Sequence, residues 1–547
     1  MTVAETGEAA ERLPAKARFV AARTLRAMHD DGTELAIIDV REELLFSQNH
    51  LLHARSVPLS RIELLIAPLV PRRSTRIVLC DDNDGAATRA AAILDNAGYS
   101  DVSILEGGCV AWQEAGFELF SGVNVPSKAF GEFIEHASYT PSIAAEELAR
   151  LMHDGRDLVV LDSRPFDEYF RVSIPTATSV PGAELVLRAR DAAPSPETTI
   201  VVNCAGRTRS IIGAQSLINA GIPNKIVALR NGTMGWSLAG YTCDAGKERR
   251  APAVSTAGLA AAREAAAQVA HRFGIKHIDL ATLEGWRTES AQRTLYMFDV
   301  RDPAEYAAGH LAGAISAPGG QLVQATDQYV GTLGARIVLV DDLDVRAVMT
   351  ASWLMQMGWN EVFVLAESGA ETGCSAPVVL ARAERPELAI ESAELAPLLA
   401  AAKATIIDLS LSRNFRRGHI AGAWFAIRSR FARALPKIRV RDLLVLTSED
   451  GIAAALAASE AEALVDVPVR VLTGGNAAWT RAGHALTGGD ENMADEPVDV
   501  WLKPYERASN TTNAMAEYLA WEVDLLPRIA RDGTCHFRKF PTAVRQT

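Results

Sequence analysis

The segment Ile200-Val-Val-Asn-Cys-Ala-Gly-Arg-Thr-Arg-Ser210 carries chemistry in its residue types and their order. An apolar, β-branched run ends in Cys204. Ala205, Gly206, Arg207, Thr208 and Arg209 follow, and a segment rich in helix formers begins at Ser210. Only the thiolate of a cysteine is a good nucleophile, and three features here favour it. A tight loop, permitted by Gly206, turns successive backbone N–H groups inward as an anion nest. A helix starting near Ser210 adds the positive end of its dipole. Arg207 and Arg209 bring full charges on a fork of donors suited to oxyanions. The same cradle would hold an anionic reactant against the sulfur.

Such a loop needs a strand before it and a helix after it, and the chain repeats that arrangement four times. An apolar strand ending in Asp recurs as Ile37-Ile-Asp-Val-Arg41, Val160-Leu-Asp-Ser-Arg164, Phe298-Asp-Val-Arg301 and Ile406-Ile-Asp-Leu-Ser410. A second strand begins at Ile77, Ile200, Ile337 and Leu444, which lies 38, 38, 38 and 36 residues after the respective Asp. An Ala-rich helical pattern and a third strand follow in each copy. In three copies the third strand runs into a turn with a Trp: Gly107-Gly-Cys-Val-Ala-Trp112, Asn231-Gly-Thr-Met-Gly-Trp236 and Gly474-Gly-Asn-Ala-Ala-Trp479. Copy three has Glu367-Ser-Gly-Ala-Glu371 there and lacks the Trp. Short strands alternating with helices indicate a parallel sheet covered on both faces. Cys204 then stands at the carboxyl end of a strand, where open α/β sheets place ligands. The repeat sets boundaries at 15–122, 141–246, 273–372 and 387–487. A helical stretch at 255–272 joins copies two and three. The tail at 491–547 has one amphipathic stretch, 515–529, and is expected to pack against the repeats rather than carry chemistry.

The bulk numbers agree with several soluble domains. A chain of 547 residues is too long for one core and suggests about three to four. A hydrophobic share of 48% and a charged share of 22% are ordinary for a globular protein. The formal charge of -12 argues against nucleic acid as a partner, so an anion must be met by a local cationic pocket. The acidic first residues do not read as a secretory signal, and no apolar run has the length of a membrane span. The six cysteines form no C-x-x-C pair or zinc-like cluster with His. They read as reduced thiols of a cytoplasmic protein, and neither a metal nor a cofactor is expected.

These residues resemble the rhodanese family of sulfurtransferases, in four tandem copies. The markers are the Asp-x-Arg strand end, the turn Gly309-His-Leu-Ala-Gly-Ala314 repeated as Gly418-His-Ile-Ala-Gly-Ala423, the Cys204 loop and the glycine-to-Trp turn. The resemblance implies four α/β domains, each a parallel five-stranded sheet flanked by helices, with the catalytic cysteine opening the loop after the fourth strand. Four residues beyond Ile200 is Cys204; the same step gives Asp81 in copy one, Asp341 in copy three and Ser448 in copy four. One copy therefore reads as active and three as inactive. Cys80 lies one position early, followed by acidic residues that would repel an anionic donor.

By this resemblance the chain is expected to move sulfane sulfur from thiosulfate to cyanide or a thiol through a Cys204 persulfide, with Ala205 to Arg209 as the donor's cradle. A loop of six residues from Cys204 through Arg209 favours sulfur over the longer loop of related phosphatases. The loop does not match mercaptopyruvate enzymes. The alternative is a persulfide carrier loaded by mercaptopyruvate or a protein persulfide, the inactive copies serving as docking surfaces. A protein donor or acceptor and a homodimer stay open.

Asp162 and Arg164 recur as a type in copies without the cysteine, so an ion pair at the base of the loop is expected, with Glu168 in a similar role. Cys80, Cys109, Cys374 and Cys535 are expected to be packing residues. Cys243 is expected to be the same rather than a resolving partner for Cys204. His310 and His419 are expected to be structural, and Trp112, Trp236 and Trp479 to lie in the cores.

Overall fold

The computed structural model describes residues 18–367, 369–373, 378–380 and 385–539. Cys374 and both chain ends lie outside them. The described chain holds four five-stranded sheets, and every strand pair in them is parallel. In each sheet the order runs first, fifth, fourth, second, third strand of that copy. In copy two these are Ser142–Ile143, Ile226–Leu229, Thr199–Asn203, Leu158–Asp162 and Thr178–Ser179. Thr199–Asn203 is central and its residues Ile200 to Asn203 are buried. That is why it reads as an unbroken β-branched run rather than an alternating one.

The helices cover both faces, and the linkers belong to the packing. The helix Thr256–Phe273 starts on Ser255, whose side chain accepts from Gly258 N. It docks on Glu184–Ala192 of copy two and Arg346–Gln356 of copy three. A single apolar core therefore runs from Leu161, Ile200 and Val202 through Ala266 and Val269 to Phe298, Ile337 and Leu339. Copies one and four have separate cores. They meet through a buried ion pair in which Arg428 donates both Nη atoms to Glu63, each at 2.8 Å.

Two boundaries differ from the sequence reading. The helix after the Cys204 loop begins at Thr208, two residues earlier than Ser210, because the loop closes within four residues of Cys204. The amphipathic stretch of the tail is two helices, Thr511–Val523 and Leu525–Asp532, that break at Asp524. Trp112, Trp236 and Trp479 are buried, each with its indole N–H donated to a backbone carbonyl six residues on. His310 and His419 are buried and ring-stacked on Tyr306 and Phe415. Among the described residues no helix is long and apolar enough to cross a membrane. No group of His, Cys, Asp and Glu among them is placed to hold a metal ion.

Candidate active site

Strand register builds the base of the site. Asp162 lies opposite Asn203, the residue before Cys204. Arg164 Nε and Nη2 donate to the two oxygens of Asp162 at 2.8 and 2.7 Å, and Asn203 Nδ2 donates to the same carboxylate at 2.8 Å. Arg164 Nη2 also donates to the Val172 carbonyl at 2.6 Å. The pair is almost wholly buried, so its charges hold each other and fix the strand end from below. Asp39 with Arg41 and Asp299 with Arg301 repeat it in copies one and three.

The loop is shaped from the side by the short helix Gly232–Leu238. Thr233 N donates to the Cys204 carbonyl at 2.8 Å and Met234 N to the Ala205 carbonyl at 2.9 Å; Thr233 Oγ1 adds a bond to Cys204 O at 3.0 Å. These bonds fix the Cys204 and Ala205 carbonyls against that helix. Gly232 makes the approach possible: its φ is +54°, and a Cβ there would stand 2.4 Å from the Cys204 carbonyl oxygen. Cys204 is 2% exposed. Its thiol lies 3.5 Å from Ser210 Oγ, which donates to the Arg207 carbonyl at 2.8 Å.

The two arginines of the loop part ways. Arg209 donates Nη2 and Nη1 to Glu168 at 2.9 and 3.3 Å, and Nη1 reaches Gln321 of copy three at 3.2 Å. Arg207 turns the other way, to the helix Val125–Ser138 between copies one and two. There it binds Glu132 through Nε and Nη2, each at 2.7 Å, and also Glu135, while its Nη1 donates at 3.1 Å to Asn231, the residue before the helix Gly232–Leu238. Glu132 is buried and needs a cation, so the charge of Arg207 is taken up outside the cradle. Burial works to raise the Glu168 carboxyl, but Arg209 and Lys503 outweigh it and hold it well below the usual range. Lys503 comes from the tail, and its Nζ donates to Glu168 Oε1 at 2.9 Å.

The tail reaches the loop again through the helix Thr511–Val523. Met515 and Leu519 pack on Met234, and a Cβ on Gly206 would fall 2.8 Å from the Met234 methyl and 3.2 Å from Glu522 Oε2. Glu522 is wholly buried and takes Lys128 Nζ at 3.0 Å. Sequence reading placed Cys204, Asp162, Arg164 and the loop together. It missed Glu132, Gln321, Lys503 and Glu522, which arrive from other parts of the chain.

The other cysteines stand apart. Cys80 ends its strand inside the core of copy one, where burial pushes its thiol well above the ordinary range. Burial raises Cys109 and Cys535 to about 12. Cys243 is a free thiol 3.5 Å from Ser237 Oγ. In copy one the carboxylate of Asp81 accepts the N–H groups of Asn83 and Ala87, each at 2.9 Å, so the nest there holds the protein's own anion.

Comparison with known proteins places the chain. The rhodanese-like domain model matches residues 21–115, 144–239, 283–370 and 391–482. The chain is similar to the crystal structure of thiosulfate sulfurtransferase from Pseudomonas aeruginosa, with 46% identity, a TM-score of 0.93 and coverage of 96% of this chain and 100% of that one. It is 31% identical over 107 residues to an uncharacterised protein of Synechocystis, 20% of this chain and 58% of that protein. It is 36% identical over 100 residues to the probable adenylyltransferase/sulfurtransferase MoeZ of Mycobacterium tuberculosis, 18% of this chain and 25% of that protein. The chain thus spans little more than half the length of the first of these two relatives and a quarter of the second. With all four sheets matched in turn, the chain belongs to the rhodanese family.

Proposed function

We propose that this chain is a sulfurtransferase of the thiosulfate type, with Cys204 as its nucleophile and the loop from Ala205 to Arg209 as its anion cradle. One observation carries the reading: the Cys204 thiol follows a strand end and opens a loop whose Cys204 and Ala205 carbonyls are tied to the neighbouring helix by Thr233 and Met234, and whose last residue, Arg209, is held by Glu168. Likeness to the Pseudomonas aeruginosa thiosulfate sulfurtransferase over 96% of the chain supports the donor.

The Cys204 thiolate attacks the outer sulfur of thiosulfate. A sulfur–sulfur bond to Cys204 forms, the bond to the sulfonate sulfur breaks, and sulfite leaves with the electron pair. The persulfide stays anionic and is held by the same inward N–H groups. Cyanide or a thiolate then attacks the terminal sulfur, and the Cys204 thiolate departs. Two half-reactions through one covalent intermediate give ping-pong kinetics. Asp162 and Arg164 position the loop from beneath and touch no reacting atom. Cys204's burial and the tail beside Gly206 support a small donor over a protein persulfide.

The test is the mass of the whole protein and of the Cys204 peptide after thiosulfate and again after cyanide. One added sulfur on that peptide, removed by cyanide, is expected. No added sulfur with thiosulfate, but loading by mercaptopyruvate or a protein persulfide, would replace the donor. Normal turnover by Cys204→Ser would end the assignment.

A further inference from the structure

Around Cys204 most charges meet opposite ones on copy two, its flanking helix and the tail helix Thr511–Val523. Arg164 is matched by Asp162, and Arg209 by Glu168. Arg207 faces two carboxylates, Glu132 and Glu135. Lys128 is matched by Glu522. A site that must gather a doubly charged anion and hold a thiolate gains little from neutral pairs. The remaining cation is Lys503, whose Nζ shares Glu168 with Arg209 and is 37% exposed on its side chain. With Lys503 in place, Glu168 carries two cations; the Arg209 side of the loop is positive by one, which balances the negative excess of Arg207 with Glu132 and Glu135 on the other side. Tyr505 follows two residues on and packs against the Met234, Met515 and Leu519 cluster.

We propose that Lys503, from the segment after copy four, belongs to the anion site of the Cys204 loop and supplies a positive charge on its Arg209 side. Lys503 is a positioning residue: it touches Glu168, frees the field of Arg209 from full neutralisation, and draws an anionic sulfur donor toward the loop. Arg209 closes the loop that Cys204 opens, so the cluster of Lys503, Glu168 and Arg209 is tied directly to that loop. The tail of this four-copy chain is then part of the site in copy two. The inference rests on Cys204 being the reacting thiol.

The test compares alkylation of Cys204 in the full chain by iodoacetate, an anion, and iodoacetamide, its neutral counterpart, followed on the Cys204 peptide by mass. In Lys503→Met the ratio of the two rates is expected to fall about 3–10-fold, the loss of one nearby cation at partial screening. Lys503→Arg is expected to keep the ratio within about twofold, since the charge is retained. Thiosulfate turnover in Lys503→Met is expected to show a raised KM with kcat little changed. An unchanged ratio in Lys503→Met overturns the proposal. So does an equal loss with both reagents that Arg does not restore, because that is a structural role. Failure of either reagent to label Cys204 in the unmodified protein also overturns it. If the ratio shifts but thiosulfate adds no sulfur, thiosulfate fails as the donor while the role of Lys503 stands.

Discussion

Asp341 of copy three holds the register position that Cys204 holds in copy two, and its Oδ2 accepts the N–H groups of Val345, Arg346 and Ala347 at 3.0, 2.7 and 3.3 Å. Arg346, five residues on, binds the same carboxylate at 2.9 Å and Glu305 at 2.5 Å, as Arg209 binds Glu168. The two loops also reach across to one another's copy: Arg209 to Gln321, Arg346 to Glu184. A loop built to receive an anion persists where the nucleophile is lost, and there a carboxylate of the protein fills it.

Cys204→Asp should therefore be inactive yet well folded. Its carboxylate is expected to collect the inward N–H groups as Asp341 does, each such bond to a charged group contributing about 1.5–3 kcal/mol. The measurement is thermal melting beside Cys204→Ser, with sulfur loading followed by mass. A melting temperature for Cys204→Asp clearly below that of Cys204→Ser would mean that the loop of copy two is not an anion nest.

Arg209 and Arg207 should differ when truncated. Arg209→Ala removes the cation that closes the Cys204 loop and is expected to lower kcat/KM for thiosulfate by about 10²–10³-fold, the usual effect of losing one oxyanion partner. Arg207→Ala is expected to cost less than about tenfold per folded molecule, with a lowered melting temperature, because it leaves Glu132 buried without its cation. Equal losses of activity would place Arg207 in the cradle.

The parts of the site that lie within one copy were legible because their spacing is local. Asp162, Asn203 and Cys204 are set by two neighbouring strands, and the repeat displays that geometry four times. The destination of Arg207 was not legible: Glu132 sits 75 residues away on a helix between copies, and nothing in its own neighbourhood marks it as a partner. Lys503 and Glu522 lay in the tail, where apolar spacing foretold packing and was silent on what the packed surface would cover. Whether the helix after the loop began at Thr208 or Ser210 turned on how tightly the loop curled, which depends on Gly232 and Thr233 across the fold.

Glu42 gives the interface of copies one and four a pH dependence. It is buried, accepts from Ser60 at 2.9 Å and from Ser429 of copy four at 2.7 Å, and burial pushes its carboxyl up to about 7. An acid whose folded pKa exceeds its unfolded value of about 4.3 binds more protons folded, so stability falls as pH rises between the two. Glu42→Gln, permanently neutral, should melt near the unmodified protein at pH 5 and above it at pH 8. A Gln variant less stable at both pH values would show that the carboxylate, not the acid, is what the two serines hold.

Gly232 tests whether the loop is shaped from the side. Its φ of +54° is strained for any other residue by about 1–3 kcal/mol, and a Cβ would meet the Cys204 carbonyl at 2.4 Å, backbone that cannot turn away as a side chain would. Gly232→Ala must therefore push the Cys204 carbonyl back or break its bonds from Thr233, and either change rotates the N–H groups of the cradle. We expect at least about 10²-fold loss of sulfur loading, beside a lowered melting temperature. Gly108 applies the same contact to the Asp81 carbonyl, at 2.3 Å, in copy one. Gly108→Ala should lower stability comparably while sulfur loading per folded molecule is retained. If both variants lose loading to the same extent, the effect is on folding and the loop is not held by Gly232; if Gly232→Ala alone loses it, the Gly232–Leu238 helix is what keeps Cys204 poised.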